Sequence, residues 1–167
     1  TIVVLDDQVL GKPLDAADAR RMLKRLQGNT HRVYTGVACL GIGSIGGDAQ
    51  GRECEADRLP AAAWDGADAI PFGDTGVYRF LSESPGGRPS IAVGHTVSKV
   101  TFRPMSDEEI NAYVNTGEPL DKAGSYGVQG LGSVFIERIE GDFYSVMGFP
   151  LNLLYPMLLK FGISPFQ

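Results

Sequence analysis

The sequence has few cysteines, no excess of positive charge and no long apolar run, and each shortage excludes a class of protein. Its two cysteines, Cys39 and Cys54, lack the paired spacing of a zinc site. A formal net charge of −5 argues against a nucleic-acid polymer as a partner, because such binding needs an excess of basic residues. No apolar stretch approaches the roughly 20 residues that span a bilayer. We therefore expect a cytoplasmic protein with reduced thiols and no membrane partner.

Several catalytic motifs are also missing from the sequence. There is no P-loop, no GxSxG, no HExxH and no EF-hand loop. The stretch "GIGSIG" at 41–46 matches GxGxxG, but the apolar-striped helix of a dinucleotide-binding unit does not follow it. A Rossmann-type oxidoreductase is therefore the weakest of the alternatives. His31 and His95 stand alone in sequence, and we predict structural roles for both.

Strand-like and helix-like segments alternate along the chain, which predicts an α/β fold. Strands are expected at 1–5, 31–40, 96–102, 133–141 and 143–149, and helices at 15–27, 106–116 and from Pro150 onward. The helix at 106–116 opens with a capping-box pattern, Ser106 with Glu109 three residues later. Residues 41–94 are rich in glycine and lack periodicity, so we interpret them as a loop-rich insertion within a single domain, 1–167.

The stretch "LDKAGSYGVQGLG" at 120–132 concentrates glycine around a few polar side chains. Clustered glycine marks tight turns or a close approach of the backbone to something bound, and the alternative is an ordinary surface loop. Three other stretches accompany it in order: "LGKP" at 10–13, "VYTGVA" at 33–38 and "GDFYSVMGFPL" at 141–151.

This ordered set resembles the Maf family of nucleotide pyrophosphatases, and within it the branch acting on dTTP and UTP. The resemblance covers residues 1–40 and about 96–162 and leaves the insertion outside. It implies a mixed twisted sheet flanked by helices. It also implies hydrolysis of a nucleoside triphosphate between the α and β phosphates, with a divalent cation, Mg²⁺ or Mn²⁺, as cofactor.

Three residues are implied in the catalytic step. Lys12 and Lys122 are point cations suited to a triphosphate, and the alternative for each is a solvated surface lysine. Asp121 is expected to bind the metal or to orient Lys122, and its alternative is a helix cap. As substrate, the resemblance implies a pyrimidine nucleoside triphosphate.

Four residues are expected to bind the substrate or to set its specificity. Gln129 carries an acceptor and a donor side by side, which complement the N3–H and O4 of a uracil or thymine edge. Tyr126 is expected to pack beside the base. Thr1 and Thr35 complete the set by position in the family pattern.

The family pattern also contains segments that this sequence does not show. It has a Ser-x-Ser-Pro-Arg-Arg motif and a catalytic aspartate immediately before the threonine that corresponds to Thr1. We therefore expect the N-terminal part of the family domain to be missing here, and residues 1–167 alone to have little or no activity. A catalytically impaired nucleotide-binding remnant with a regulatory or interaction role is the alternative, and a homodimer stays open.

Overall fold

The computed structural model describes residues 1–41, 68–83 and 89–166. Within these residues the strands are β1 Ile2–Leu5, β2 Gln8–Leu10, β3 Thr30–Leu40, β4 Ile70–Phe72, β5 Gly76–Glu83, β6 Pro89–Phe102 and β7 Ile136–Glu140. The α-helices are α1 Ala16–Leu26, α2 Asp107–Asn115, α3 Phe143–Met147 and α4 Leu151–Lys160. Short 3₁₀ turns lie at Glu118–Asp121, Ala123–Ser125 and Leu131–Phe135.

The strands form one sheet in the order β2-β1-β3-β6-β5-β4, with β7 also pairing to β6. β3 pairs with β6 from Thr30–Thr101 to Leu40–Ile91. The other edge of β6 is shared, first by β5 and then by β7. The expected α/β fold with helices beside a sheet is confirmed. Every pairing among the described strands is antiparallel, where a mixed sheet was expected, because short turns such as that between β1 and β2 join neighbouring strands directly.

The prediction that residues 41–94 form a loop-rich insertion needs correction, because part of this segment belongs to the sheet. β4, β5 and the first half of β6 belong to the sheet, and β3 continues alongside them to its last residue. The apolar residues of this half pack with α4 into a core of their own, Tyr78, Ala92, Leu153 and Met157. Residues 42–67 and 84–88, and with them most of "GIGSIG", lie outside the described part of the chain.

Helices α1 and α2 pack over the other half of the sheet. Asp15 caps α1 by accepting a hydrogen bond from the backbone N–H of Asp18, and Leu23 and Leu26 on the same helix are fully buried. The predicted capping box of α2 is present at Ser106 and Glu109. Among the described residues, no helix has the length and apolarity needed to cross a bilayer.

Two strand predictions near the C-terminus need correction. Residues 143–149, expected as a strand, contain helix α3. Asp142 starts this helix by accepting from the N–H of Tyr144, and Gly148 ends it with φ of +113°. The strand expected at 133–141 begins only at Ile136, after a 3₁₀ turn. Local caps and glycine therefore outweighed the β-branched and aromatic composition of these segments.

Candidate active site

Two adjoining cavities of about 240 Å³ and 350 Å³ form a continuous cleft beside β1. They share Lys122, Tyr126, Val128, Val146 and Met147. Residues 126–132 are here called the loop wall, and 126–130 of them line the cleft on one side. Residues 141–148 are here called the helix wall, and 146–148 of them line the other side. The cleft thus lies where the glycine-rich stretch meets α3.

The smaller cavity is lined by three charged side chains, Lys12, Asp121 and Lys122. Lys122 Nζ donates to Asp121 Oδ1 at 2.8 Å. This hydrogen bond, the charge of Lys122 and the more distant charge of Lys12 lower the pKa of Asp121, so the carboxylate stays ionised. The three side chains predicted as catalytic are therefore brought together.

A backbone contact explains why two distant parts of the sequence meet here. The N–H of Gly124 donates to the carbonyl oxygen of Gly11 at 3.0 Å, directly beside Lys12. Gly124 has φ of +70°, and a Cβ on it would lie 3.1 Å from the Val3 side chain. Position 124 favours glycine, because a side chain there would be strained by the positive φ and would crowd Val3 of β1.

Thr1 and Thr35 occupy different layers of the site. Thr1 lines the smaller cavity, and its hydroxyl lies 2.9 Å from that of Thr35. Thr35 is 1% exposed, lines neither cavity and donates to the carbonyl oxygen of Ser145 at 2.7 Å. The structure therefore places Thr35 beneath the site, between Thr1 and helix α3.

Tyr126 and Gln129 both belong to the loop wall but point to different environments. Gln129 is exposed and lines the larger cavity. Tyr126 is buried, and its hydroxyl lies 2.8 Å from His31 Nε2. The Tyr126 ring also packs edge-on against Phe102. Tyr126 thus presents the side of its ring to the cleft and ties the loop to the core through its hydroxyl.

His31 lies in the core below Tyr126, with 1% of its surface exposed. Burial lowers its pKa from 6.5 to about 4, so the imidazole is neutral at physiological pH. Such an environment fits the structural role predicted for His31.

Glu118 is a residue of the site that the sequence patterns did not single out. It lines the larger cavity together with Lys122 and Gln129, and it accepts hydrogen bonds from the loop wall. The spacing of Gly127, Gly130 and Gly132 was the available signal, because glycines at intervals of two and three leave room for a side chain to enter the loop.

A divalent cation fits this site only in a particular way. Among the described residues no group of three or more His, Cys, Asp or Glu side chains could hold a metal ion. Asp121 is one ionised carboxylate at the edge of the cleft. Mg²⁺ commonly binds through one or two carboxylates, with phosphate oxygens and water as its other ligands. The donor set therefore suits a cation that arrives with a phosphorylated substrate.

Comparisons with known proteins identify the family of this chain. The family of Maf-like proteins matches residues 1–59 and 75–161. A dTTP/UTP pyrophosphatase of Dictyoglomus turgidum is 38% identical over 164 residues, which is 98% of this chain and 62% of the relative. Corresponding proteins of Clostridium novyi and Bacillus cereus are 37% and 35% identical over 98% of this chain, and cover 63% and 62% of those relatives. The chain thus spans less than two thirds of the length of these curated relatives.

Proposed function

Because the chain belongs to the Maf family, we propose that it hydrolyses a pyrimidine nucleoside triphosphate such as dTTP or UTP to the monophosphate and pyrophosphate. The observation that carries the proposal is one cleft with Lys12 at one end, the exposed amide of Gln129 at the other and Lys122 shared by both cavities. A nucleoside triphosphate has the same polarity, with charge at one end and a hydrogen-bonding base at the other. The relatives named dTTP/UTP pyrophosphatase support the same substrate class.

The charged end of the cleft suits the triphosphate. Lys12 and Lys122 supply two positive charges, and hydrogen bonds to charged groups contribute about 1.5–3 kcal/mol each. Asp121 holds Lys122 at 2.8 Å and thereby restricts where its ammonium can lie. In this proposal the lysines bind and orient the phosphates, which is the main contribution that proteins make to phosphoryl transfer.

We place the metal at the same end. Asp121 would hold Mg²⁺ or Mn²⁺ together with substrate phosphate oxygens, and the bound ion would neutralise charge that develops on the phosphates. The Lys122–Asp121 ion pair supports this assignment, because it keeps an ionised carboxylate beside the phosphate-binding lysine.

The other end suits the base. Gln129 is exposed on the loop wall, where its amide is free to pair with N3–H and O4 of uracil or thymine. Val128, Val146 and Met147 supply apolar surface for the faces of a pyrimidine ring. We also propose a cytoplasmic location, where the two widely spaced cysteines would stay reduced.

The test is a product analysis with dTTP, UTP, dATP and GTP in the presence of Mg²⁺ or Mn²⁺. With the full-length parent protein we expect pyrophosphate and the monophosphate from dTTP and UTP, with slower turnover of the purines, whereas residues 1–167 alone should show little or no turnover. Release of inorganic phosphate and a diphosphate would contradict cleavage between the α and β phosphates. Binding of UTP without turnover by the parent protein would favour the non-catalytic nucleotide-binding alternative.

A further inference from the structure

The Glu118 carboxylate accepts hydrogen bonds from the backbone that follows Gln129 in the loop wall. Its Oε2 accepts from the N–H of Leu131 at 2.8 Å, and its Oε1 accepts from the N–H of Gly132 at 3.1 Å. Burial alone would raise the pKa of Glu118, but these two bonds, the Tyr113 hydroxyl and the charge of Lys122 lower it overall. Glu118 therefore acts as an ionised acceptor for this part of the loop.

Tyr113 extends the same network to the backbone that precedes Gln129 in the loop wall. Its hydroxyl donates to Glu118 Oε1 at 3.0 Å and accepts from the N–H of Gly127 at 3.1 Å. Tyr113 belongs to helix α2, and its ring lies edge-on to Phe135, with 5.2 Å between ring centroids, which holds the ring in place. The backbone on both sides of Gln129 is thus tied to one pair of side chains.

The glycines of the loop make this arrangement sterically specific. A Cβ at Gly130 would lie 2.5 Å from the carboxyl carbon of Glu118, and a Cβ at Gly132 would lie 2.5 Å from the Tyr113 hydroxyl. Real Cβ atoms do not approach so closely, so these positions accept only glycine while the network is formed. The loop wall is therefore shaped around Glu118 and Tyr113.

We infer that Glu118 and Tyr113 are a positioning pair that fixes the backbone around Gln129 and so sets the selectivity for the base. The inference rests on the proposed function, in which Gln129 pairs with a pyrimidine. Gly127 precedes Gln129 by two residues and Leu131 follows it by two, and both N–H groups are held by the pair. Loss of either member frees one side of Gln129 and lowers the share of molecules that present its amide correctly.

The first experiment measures hydrogen exchange of backbone amides in the ligand-free full chain. Glu118→Gln replaces one acceptor oxygen by a donor, and we expect at least about tenfold faster exchange at Leu131 or Gly132. Tyr113→Phe keeps the ring and removes the hydroxyl, and we expect a similar increase at Gly127. Glu137→Gln, an exposed acid of β7, is the matched control that should change none of these amides.

The second experiment separates the base from the phosphates. In the full-length parent protein with dTTP and UTP, both variants should show KM values raised about tenfold. Tyr113→Phe should also change kcat by less than about twofold and leave binding of pyrophosphate, which has no base, as in the unmodified protein. Tyr113 does not line the larger cavity, so an equal effect of Tyr113→Phe identifies positioning and not direct contact.

Unchanged exchange in both variants overturns the inference, as does faster exchange with unchanged KM for pyrimidine nucleotides. An effect of Glu118→Gln alone also overturns it, because Glu118 would then contact the ligand itself. Failure of the proposed function has a different signature, since the unmodified full-length parent protein would then turn over no triphosphate. UTP and pyrophosphate binding would in that case replace KM as the measure of positioning.

Discussion

The two walls of the cleft are held by polar networks of different depth. On the helix wall Ser145 is fully buried, accepts from Thr96 at 2.7 Å and donates to Asp142 at 2.5 Å. Ser98 in turn accepts from the N–H of Asp142 at 3.0 Å, so strand β6 holds the start of α3. The loop wall depends on Glu118, a half-buried carboxylate outside the sheet. The first network belongs to the core, and the second lies at its edge.

From this difference we expect the helix wall to affect mainly the stability of the domain, and the loop wall to affect mainly its selectivity for the base. A buried polar group that loses its partner costs about 1–3 kcal/mol, so substitutions in the helix wall should lower the stability of the whole domain. Substitutions near the surface change local opening more than global unfolding. The loop wall should therefore tolerate changes that alter binding, and the helix wall should not.

The largest effect is expected for Gly141→Ala in the helix wall. Gly141 has φ of +120°, and a Cβ there would lie 2.7 Å from Ser98 Oγ and 3.0 Å from Ser98 Cα. We expect the free energy of unfolding to fall by about 2–4 kcal/mol, from backbone strain and crowding together. Urea denaturation measures this change. Gly28→Ala is the control, because Gly28 also has positive φ, +68°, but open space around it. Equal losses for both would show that the close contact with β6 contributes nothing.

The second expected effect concerns Lys122, which lies between the two walls and lines both cavities. Lys122→Ala should weaken binding of every triphosphate by about tenfold to a hundredfold, because it removes a contact to phosphate and none to the base. Titration calorimetry with dTTP, UTP, dATP and GTP measures the four affinities. Lys99→Ala, at an exposed position of β6, controls for the change of net charge. A loss restricted to pyrimidines would contradict the phosphate-binding role.

Gln129→Glu tests the base end and the loop wall alone. The change keeps the size of the side chain and removes its donor, so O4 of the base faces a carboxylate. We expect dTTP and UTP to bind about tenfold to a hundredfold more weakly and purine triphosphates to change much less. Gln8→Glu is the control for an added negative charge at an exposed position. An equal loss for all four nucleotides would make Gln129 a structural residue of the loop.

The last expected effect is a pH dependence of stability, which reports on His31, the hydrogen-bond partner of Tyr126. His31 has a pKa of about 4 in the folded state against 6.5 as its ordinary value. Between these values the unfolded state binds the proton, so stability should fall as pH decreases, by at most about 1.4 kcal/mol per pH unit. Urea denaturation between pH 7.5 and 4.5 measures the slope, and His31→Leu should flatten it. A slope unaffected by that substitution would mean that His31 does not titrate with folding.

Much of the fold was predictable where local signals agreed with each other. Asp15 and Ser106 marked the starts of α1 and α2 because their side chains satisfy free N–H groups of the first turn. The region after Leu40 was not predictable in the same way. Its strands are held by pairing with segments far along the chain, because β6 pairs with β3 along one edge and with β5 along the other.

The candidate site was likewise predictable only in part. Lys12, Asp121, Lys122 and Gln129 were found as residue types in an ordered pattern, and the structure gathers all four around one cleft. The pattern did not show that Thr35 lies below the cleft, where it donates to Ser145. It also did not show that the Tyr126 hydroxyl points to His31. A pattern records which residues are present, whereas burial decides which of their atoms reach a ligand.

By itself the sequence determined the α/β class, the helix starts and the chemistry available for phosphate and base, because these depend on residue type and short-range spacing. Only the tertiary structure decided that 143–147 form a helix, that β4 and β5 extend the sheet and that Glu118 shapes the loop wall. Each of those outcomes depends on partners far along the chain. Ser98 lies 44 residues from Asp142, and Glu118 lies 14 residues from Gly132. Hydrogen bonds over such separations exist only once the strands have brought their ends together.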